Sequence, residues 1–290
     1  MQLISIGQII DRAWHHYTTH FKTLISISGW LLIIAILNII ATWFYPEATM
    51  LATTKATDFT GSEWFGISLY MLTFFVATPI ISIWVSNTLI QTINKQDDGK
   101  AVNLTAEGKL SWKLFFPRVL VGLQVAGMIL LTGLLIIPGG VLFATTDSGS
   151  GLEAASSLLL ILGIVAAVLL TFALVIRLFF APFALVLGGL HGRAALKESL
   201  RLTRGRWFST FIRLLIPQAL FYLGLFIVQI VVLYALQAII IAVAGLNIDL
   251  AIRLYSIAQG TVFLILTIFM NPLVLTANTI VFKNLRETAK

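Results

Sequence analysis

Basic side chains are concentrated between residues 193 and 213, among large apolar residues. The segment holds one acid, Glu198, and six cations: Arg193, Lys197, Arg201, Arg204, Arg206 and Arg213. A helical wheel of this segment predicts one amphipathic helix. The cations from Arg193 to Arg204 occupy one arc of the wheel, and the adjacent arc is formed by Leu196, Leu200, Thr203, Trp207 and Phe211. We expect this helix to lie on the membrane surface, with its apolar side toward the bilayer, Trp207 at the interface and its cations near anionic lipid phosphates.

Residue patterns typical of enzymes are missing from the sequence. It contains no H-E-x-x-H, G-x-S-x-G, P-loop or G-x-G-x-x-G motif, and it has no cysteine. His16 and His20 are four residues apart and would share one helix face, but no further ligand completes a metal site. We therefore expect no catalytic residue, no bound metal, no cofactor and no enzymatic activity.

The composition indicates a membrane protein. Hydrophobic residues make up 59% of the 290 residues and charged residues only 11%, which is too little polar surface for a soluble globule of this length. Apolar runs long enough to cross a bilayer as helices recur six times. The sequence therefore predicts an all-α fold, a polytopic membrane helical bundle with six transmembrane helices near residues 24–45, 64–93, 116–137, 158–187, 211–244 and 254–282.

The distribution of Lys and Arg predicts the orientation of these spans. All but three of the 19 basic residues fall in the terminal segments or in the two loops on the same side of the membrane as the termini. The exceptions are Lys55, Arg177 and Arg253. Because positive charge marks the cytoplasmic side, both termini are predicted to be cytoplasmic, and the protein is expected in a cell membrane, as a multi-pass protein of a bacterial inner membrane.

Three stretches align without gaps and predict an internal repeat: "RAWHHYTTHFKTLI" (12–25), "LSWKLFFPRVLVGL" (110–123) and "ESLRLTRGRWFSTF" (198–211). Small residues share one column of this alignment, namely Ala13, Ser111 and Ser199. Each stretch precedes a pair of spans, so we predict three units, each an amphipathic helix followed by a transmembrane hairpin. The units cover about 1–97, 98–190 and 191–290 within a single integral membrane domain, 1–290.

Polar residues and prolines inside the spans form a second group of candidates. The second helix of each predicted hairpin carries a proline, at Pro79, Pro182 and Pro272, where we expect a kink and, as an alternative to simple packing, a gating hinge. Arg177 and Asn271 form a candidate intramembrane polar site. An ionisable group inside a span suggests a function, although Arg177 is expected to extend its side chain toward the cytoplasmic face.

The stretches "IGQIIDRAWHHYTTHF" and "ALKESLRLTRGRWF" resemble the multi-pass membrane region attached to some bacterial glycerophosphoryl diester phosphodiesterases, and related bacterial inner-membrane proteins. The resemblance covers nearly the whole chain but involves amphipathic segments instead of catalytic motifs. In those enzymes the hydrolysis belongs to a separate soluble barrel, for which this sequence has no room. The resemblance therefore implies the membrane module without the enzyme.

Two functions follow from these patterns. The first is a non-enzymatic integral membrane protein whose basic helices engage anionic phospholipid, a membrane protein partner or a second copy of the chain, with a role in envelope organisation. Its lipid or partner contacts would be Arg193, Lys197, Arg201, Arg204, Arg206 and Trp207. The alternative is a transporter or channel for small molecules or lipids, with a path between the three hairpins. A nucleic-acid partner is not expected, because the basic segment lies between two spans.

Overall fold

The computed structural model describes residues 3–46, 58–147, 149 and 151–289, and the regular elements of these residues are helical. Three short turns of other helical types link some of the α-helices: Gly29–Leu31 and Gly133–Ile136 are 3-10 turns, and Thr73–Ala77 is a π turn. The α-helices are α1 Ile6–Thr19, α2 Phe21–Ser28, α3 Leu32–Phe44, α4 Gly61–Leu72, α5 Thr78–Asp97, α6 Leu104–Lys113, α7 Phe115–Thr132, α8 Ile137–Thr145, α9 Glu153–Leu178, α10 Ala181–Gly188, α11 Arg193–Thr203, α12 Trp207–Ala244 and α13 Ile248–Thr288.

The six predicted spans are confirmed as helical segments long and apolar enough to cross a membrane. Large apolar side chains point outward along them, including Phe116, Leu130 and Tyr234, each at least three-quarters exposed. Most segments extend beyond the predicted spans, and two of them do so because the helix continues into polar sequence, α5 to Asp97 and α13 to Thr288. Their bounds are Phe21–Phe44, Gly61–Asp97, Phe115–Thr145, Glu153–Gly188, Trp207–Ala244 and Ile248–Thr288.

Internal contacts divide the chain into two compact units. Unit 1 is formed mainly by Phe116–Arg213 and the C-terminal segment from Val281, and unit 2 by Ile4–Phe115 and Leu214–Ile280. The single membrane domain and its three repeat units remain predictions.

An aromatic cluster forms the core of unit 1. Phe180, Phe183 and Phe282 lie with ring centroids 5.9 Å apart in each pair, and all three are almost fully buried. Leu285 is fully buried as well. A hydroxyl contact also joins two spanning segments of this unit, since the side-chain oxygens of Thr132 and Thr171 are 2.7 Å apart. In a membrane, such a bond satisfies hydroxyl groups that lipid chains cannot hydrogen-bond.

In unit 2, α3 and α4 pack closely as neighbouring spanning helices. Gly66 makes this possible, because a Cβ atom at this position would lie 2.4 Å from the backbone of Phe44. The α4 helix begins with a capping box in which Thr60 and Glu63 each bond the other's backbone amide. Small residues at the contact are a common way for helices to approach each other in a membrane.

One predicted helix is wrong. The wheel of the basic segment treats residues 196–211 as continuous, but α11 ends at Thr203 and α12 begins at Trp207. Arg204 is extended and Gly205 has a φ of 72°, a left-handed conformation that glycine adopts at little cost. Trp207 is therefore the first residue of a spanning helix, and it does not share a face with Leu196.

We predict that Gly66→Val destabilises the protein by about 1–3 kcal/mol, because the added side chain meets backbone atoms that cannot move aside without separating α3 from α4. The measurement is the thermal unfolding midpoint of the purified protein in detergent. Gly122→Val is the matched control, since open space surrounds that position on another spanning helix. Equal midpoints for the two variants would contradict the close packing.

Candidate functional site

The basic helix α11 is fixed to the preceding spanning segment by a buried serine. The Ser199 hydroxyl donates to the carbonyl oxygen of Arg177 at 2.7 Å and accepts from the backbone amide of Phe180 at 3.2 Å. Ser199 and Ala195 are fully buried, so the helix backbone lies close to α10 and to the end of α9. These bonds give α11 a fixed position within unit 1.

The apolar side of α11 faces protein, which corrects the expectation that it faces the bilayer. Leu196 is 7% exposed, and Leu202 and Thr203 are fully buried. The small side chain of Ser199 permits this close packing, because a larger residue would hold α11 away from Phe180. The side of the helix that remains accessible is therefore the charged one.

Two of the predicted contact cations are held by other groups of unit 1. Arg201 makes a two-pronged ion pair with Glu198, with both nitrogen–oxygen distances at 2.8 Å. Arg206 donates to the Thr288 hydroxyl at 2.8 Å and is half-buried. The Arg201 pair therefore lies along α11 itself, and Arg206 holds the turn after α11 to the end of α13.

The other three predicted contact cations form what we call the basic surface: Arg193, Lys197 and Arg204. All three side chains are exposed. Within the part of the chain that the structure describes, no carboxylate lies within 4 Å of any of them. Arg193 is the first residue of α11 and Arg204 follows its last residue, so the basic surface runs the length of the helix. Its charges are available to an anion from outside the chain.

The ion pair at Glu198 has an electrostatic consequence. The hydrogen bonds from Arg201 lower the pKa of Glu198, burial opposes this effect, and the charge of Arg286 contributes in the same direction as Arg201. The same bonds raise the pKa of Arg201. Both groups therefore stay charged at neutral pH, and Glu198 offsets the charge of Arg201 through direct hydrogen bonds.

Unit 2 contains a second arrangement of chemical interest, which we call the polar cluster: Thr88, Gln91, Lys95, Glu107 and Ser111. It joins α5 to α6. The Ser111 hydroxyl accepts from Thr88 at 2.8 Å and from the Gln91 amide at 3.0 Å, and it donates to the carbonyl oxygen of Glu107 at 2.9 Å. The Lys95 ammonium pairs with one carboxylate oxygen of Glu107. Four of the five residues are buried, and Lys95 is partly exposed.

Sequence reasoning missed Glu107, which is 1% exposed. Its second carboxylate oxygen, Oε2, has no hydrogen-bond partner among the described residues, and neither has the Gln91 Oε1 atom. The sequence held a signal, because Glu107, Gly108 and Ser111 share one side of α6 while Leu104, Leu110 and Trp112 are exposed. A stripe of small and polar residues on an interfacial helix indicates the side that packs against protein.

The other predicted site residues are not gathered at one place. Arg177 is half-buried one residue before the end of α9. Asn271 is half-buried in α13, directly before Pro272, which lies inside that helix. Pro79 follows the π turn at the start of α5, and Pro182 is the second residue of α10, after an interruption at Phe179 and Phe180. Their roles as hinges or as a transport site remain predictions.

A family profile described as "Domain of unknown function (DUF7847)" matches residues 109–285, which is more than half of the chain. The chain belongs to this family. The DUF7847 match includes α11, with the basic surface, and Ser111, but it begins after Glu107. No curated protein and no solved structure matches the chain.

We predict that Lys95→Met destabilises this DUF7847 protein, because the buried Glu107 carboxylate loses its cation. The cost should be about 1–3 kcal/mol, below that of a fully buried pair, since the Lys95 side chain is 40% exposed. Adding Glu107→Gln should recover part of the loss by removing the uncompensated charge. Thermal unfolding of the two single variants and the double variant gives the coupling, and additive losses would contradict the ion pair.

We also predict a pH-dependent contribution from Glu198. Folding lowers the pKa of this carboxylate, so its stabilisation is complete above the unfolded pKa of about 4.3 and is lost as the pH falls through the lower folded value. Glu198→Gln should therefore reduce the free energy of unfolding at pH 6–8 by an amount typical of exposed pairs, about 0.2–1 kcal/mol, and the difference between the two proteins should narrow as the pH falls below about 4.3. A gap that is constant down to pH 3 would contradict this origin.

Proposed function

We propose that the protein is a non-enzymatic integral membrane protein whose basic surface engages the phosphate groups of anionic phospholipids. The observation that carries the proposal is the position of Arg193, Lys197 and Arg204. All three are exposed, no carboxylate of the described residues lies within 4 Å of them, and they lie on or directly beside the helix that Ser199 fixes to a spanning segment. Each cation near an anionic membrane surface contributes about 1 kcal/mol of attraction.

The orientation is part of the proposal. Both termini and the basic surface would lie on the cytoplasmic side of a bacterial inner membrane, where anionic lipid headgroups attract Lys and Arg. The segments on the opposite side carry Lys55 and Arg253 as their basic residues. Arg253 donates to the carbonyl oxygens of Trp43 and Tyr45, so its charge has partners within unit 2.

A threefold repeat of helix and hairpin also belongs to the proposal. It is supported by the alignment column that holds Ala13, Ser111 and Ser199, because all three residues are fully buried. Ser111 and Ser199 further share a role, since each joins its interfacial helix to the spanning segment before it by hydroxyl bonds. The likeness to the membrane region of the phosphodiesterases stays a prediction.

We favour lipid engagement over transport because of where the polar residues of the spans lie. The Gln218 amide donates to the Asn278 side-chain oxygen at 2.9 Å, which occupies both groups within unit 2. Three cavities among the described residues contain, in turn, Trp84, Leu120 and Glu63 in their linings. Neither Arg177 nor Asn271 lines any of these three cavities. A transport path would place such groups around one cavity.

The test replaces Arg193, Lys197 and Arg204 together with Gln. The purified protein, stripped of lipid in a neutral detergent, is titrated with phosphatidylglycerol, and bound lipid is counted by native mass spectrometry. We expect the triple variant to bind about 150-fold more weakly, from about 1 kcal/mol for each of three charges, and to keep the wild-type Tm because these side chains are exposed.

The matched control is Arg201→Gln with Glu198→Gln. This pair lies on the same helix and its removal leaves the net charge unchanged, so phosphatidylglycerol should bind with wild-type affinity. An unchanged affinity of the triple variant for phosphatidylglycerol would contradict the proposed function. Loss of affinity for phosphatidylcholine as well as phosphatidylglycerol would contradict recognition of anionic charge, and a change in oligomeric state without a change in lipid binding would favour a second copy as the partner.

A further inference from the structure

A groove with an aromatic wall lies within unit 2, beside the polar cluster. It is a cavity of about 350 Å³ between α2, the following 3-10 turn, α5 and α6. The residues that bear on its chemistry are Trp30, Trp84, Trp112, Thr105, Gly108 and Lys109. This volume is near the lower end of the range for small-molecule sites, about 300–1,000 Å³.

Three indole rings form the wall. Trp84 meets Trp30 edge to face with ring centroids 5.5 Å apart, and it lies 6.2 Å from Trp112. The Trp84 indole nitrogen donates to the carbonyl oxygen of Gly108 at 3.1 Å, so its polar atom is occupied and its ring is presented to the groove. Trp30 and Trp112 each remain 53% exposed. The wall is therefore apolar and accessible.

Gly108 sets the width of the groove. A Cβ atom at this position would lie 3.2 Å from the Trp84 ring, so glycine allows α6 to approach the indole closely. The Ser111 and Glu107 bonds of the polar cluster hold the same side of α6 against α5. The same contacts that stabilise the two helices thus fix the shape of the groove.

The groove carries one sign of charge. Lys109 is the charged side chain among its lining residues, it is exposed, and no carboxylate of the described residues lies within 4 Å of its ammonium group. Glu107, two residues before Lys109, is paired with Lys95. An occupant must therefore combine an apolar part for the indoles with an anionic part for Lys109.

We propose that this groove binds a glycerophospholipid from the bilayer, with the first part of one acyl chain against Trp30, Trp84 and Trp112 and the phosphate at Lys109. Tryptophan is the side chain typical of the level where acyl chains meet headgroups, and the groove lies where a spanning segment meets an amphipathic helix. This lipid site shares no residue with the basic surface, so either proposal can fail without the other.

The test uses two matched pairs of variants in the full chain. Thr105→Trp fills the groove, whereas Ala106→Trp adds the same side chain at the next, exposed position outside the lining. Lys109→Gln removes the cation, whereas Lys113→Gln removes a charge one turn further along the exposed side of α6. Each variant, freed of lipid in neutral detergent, is titrated with phosphatidylglycerol and examined by native mass spectrometry, with Tm and size-exclusion profile as checks of folding.

We expect Thr105→Trp to bind one lipid fewer per chain than the wild type, and Ala106→Trp to bind the wild-type number. Lys109→Gln should weaken one binding event about five-fold, the equivalent of about 1 kcal/mol, and Lys113→Gln should weaken it less. If Thr105→Trp does not fold, the lysine pair alone decides the question.

The opposite results would overturn the site. An unchanged lipid count in Thr105→Trp, or equal affinities for Lys109→Gln and Lys113→Gln, excludes a lipid held at this groove. If lipid binding is lost in these variants but kept in the triple variant of Arg193, Lys197 and Arg204, the groove is supported as a lipid site and the basic surface is rejected as one. The reverse pattern supports the basic surface and removes the groove.

Discussion

The contact on which both candidate sites depend is a buried serine between an interfacial helix and the end of the preceding spanning segment. Ser199 fixes α11 through Arg177 and Phe180, and Ser111 fixes α6 through Thr88 and Gln91. A small side chain lets two helix backbones approach, and a hydroxyl satisfies groups that would otherwise be buried without a partner. Because one side of each interfacial helix is held in this way, the other side is presented at a fixed position.

Ion pairing then divides the cations into two groups with different roles. Lys95 and Arg201 are paired with Glu107 and Glu198, so they stabilise the contacts between and along helices. The basic surface and Lys109 have no such acid among the described residues, and their charge is directed outward. A net charge of +7 therefore overstates the number of groups free to bind phosphate, and the distribution of twelve acids decides which cations remain.

The two proposed lipid contacts differ in their physical basis. The basic surface is a row of charges without a cavity, so its attraction should depend on the headgroup charge and weaken with salt. The groove adds apolar area from three indoles to a single charge, so it should retain part of its affinity at high salt. Together they would hold lipid beside both units of a protein whose spanning helices already expose large apolar side chains such as Phe116 and Tyr234.

The sequence by itself determined the class and the elements of this protein. A composition so poor in charge indicates a bilayer environment, and continuous apolar runs of about 20 residues indicate helices and not the short alternating strands of a barrel, so six candidate spans could be located from hydropathy alone. Only the tertiary structure decided which side of each interfacial helix faces protein. The helical wheel placed Leu196 and Thr203 toward lipid, and Glu107 was not identified from the sequence. Periodicity shows which side chains share a face of a helix, but it does not show whether that face contacts lipid or protein. Burial of Glu107, the bond between Arg206 and Thr288 and the break at Gly205 depend on neighbours distant along the chain or on a local backbone conformation, and hydropathy carries no information about either.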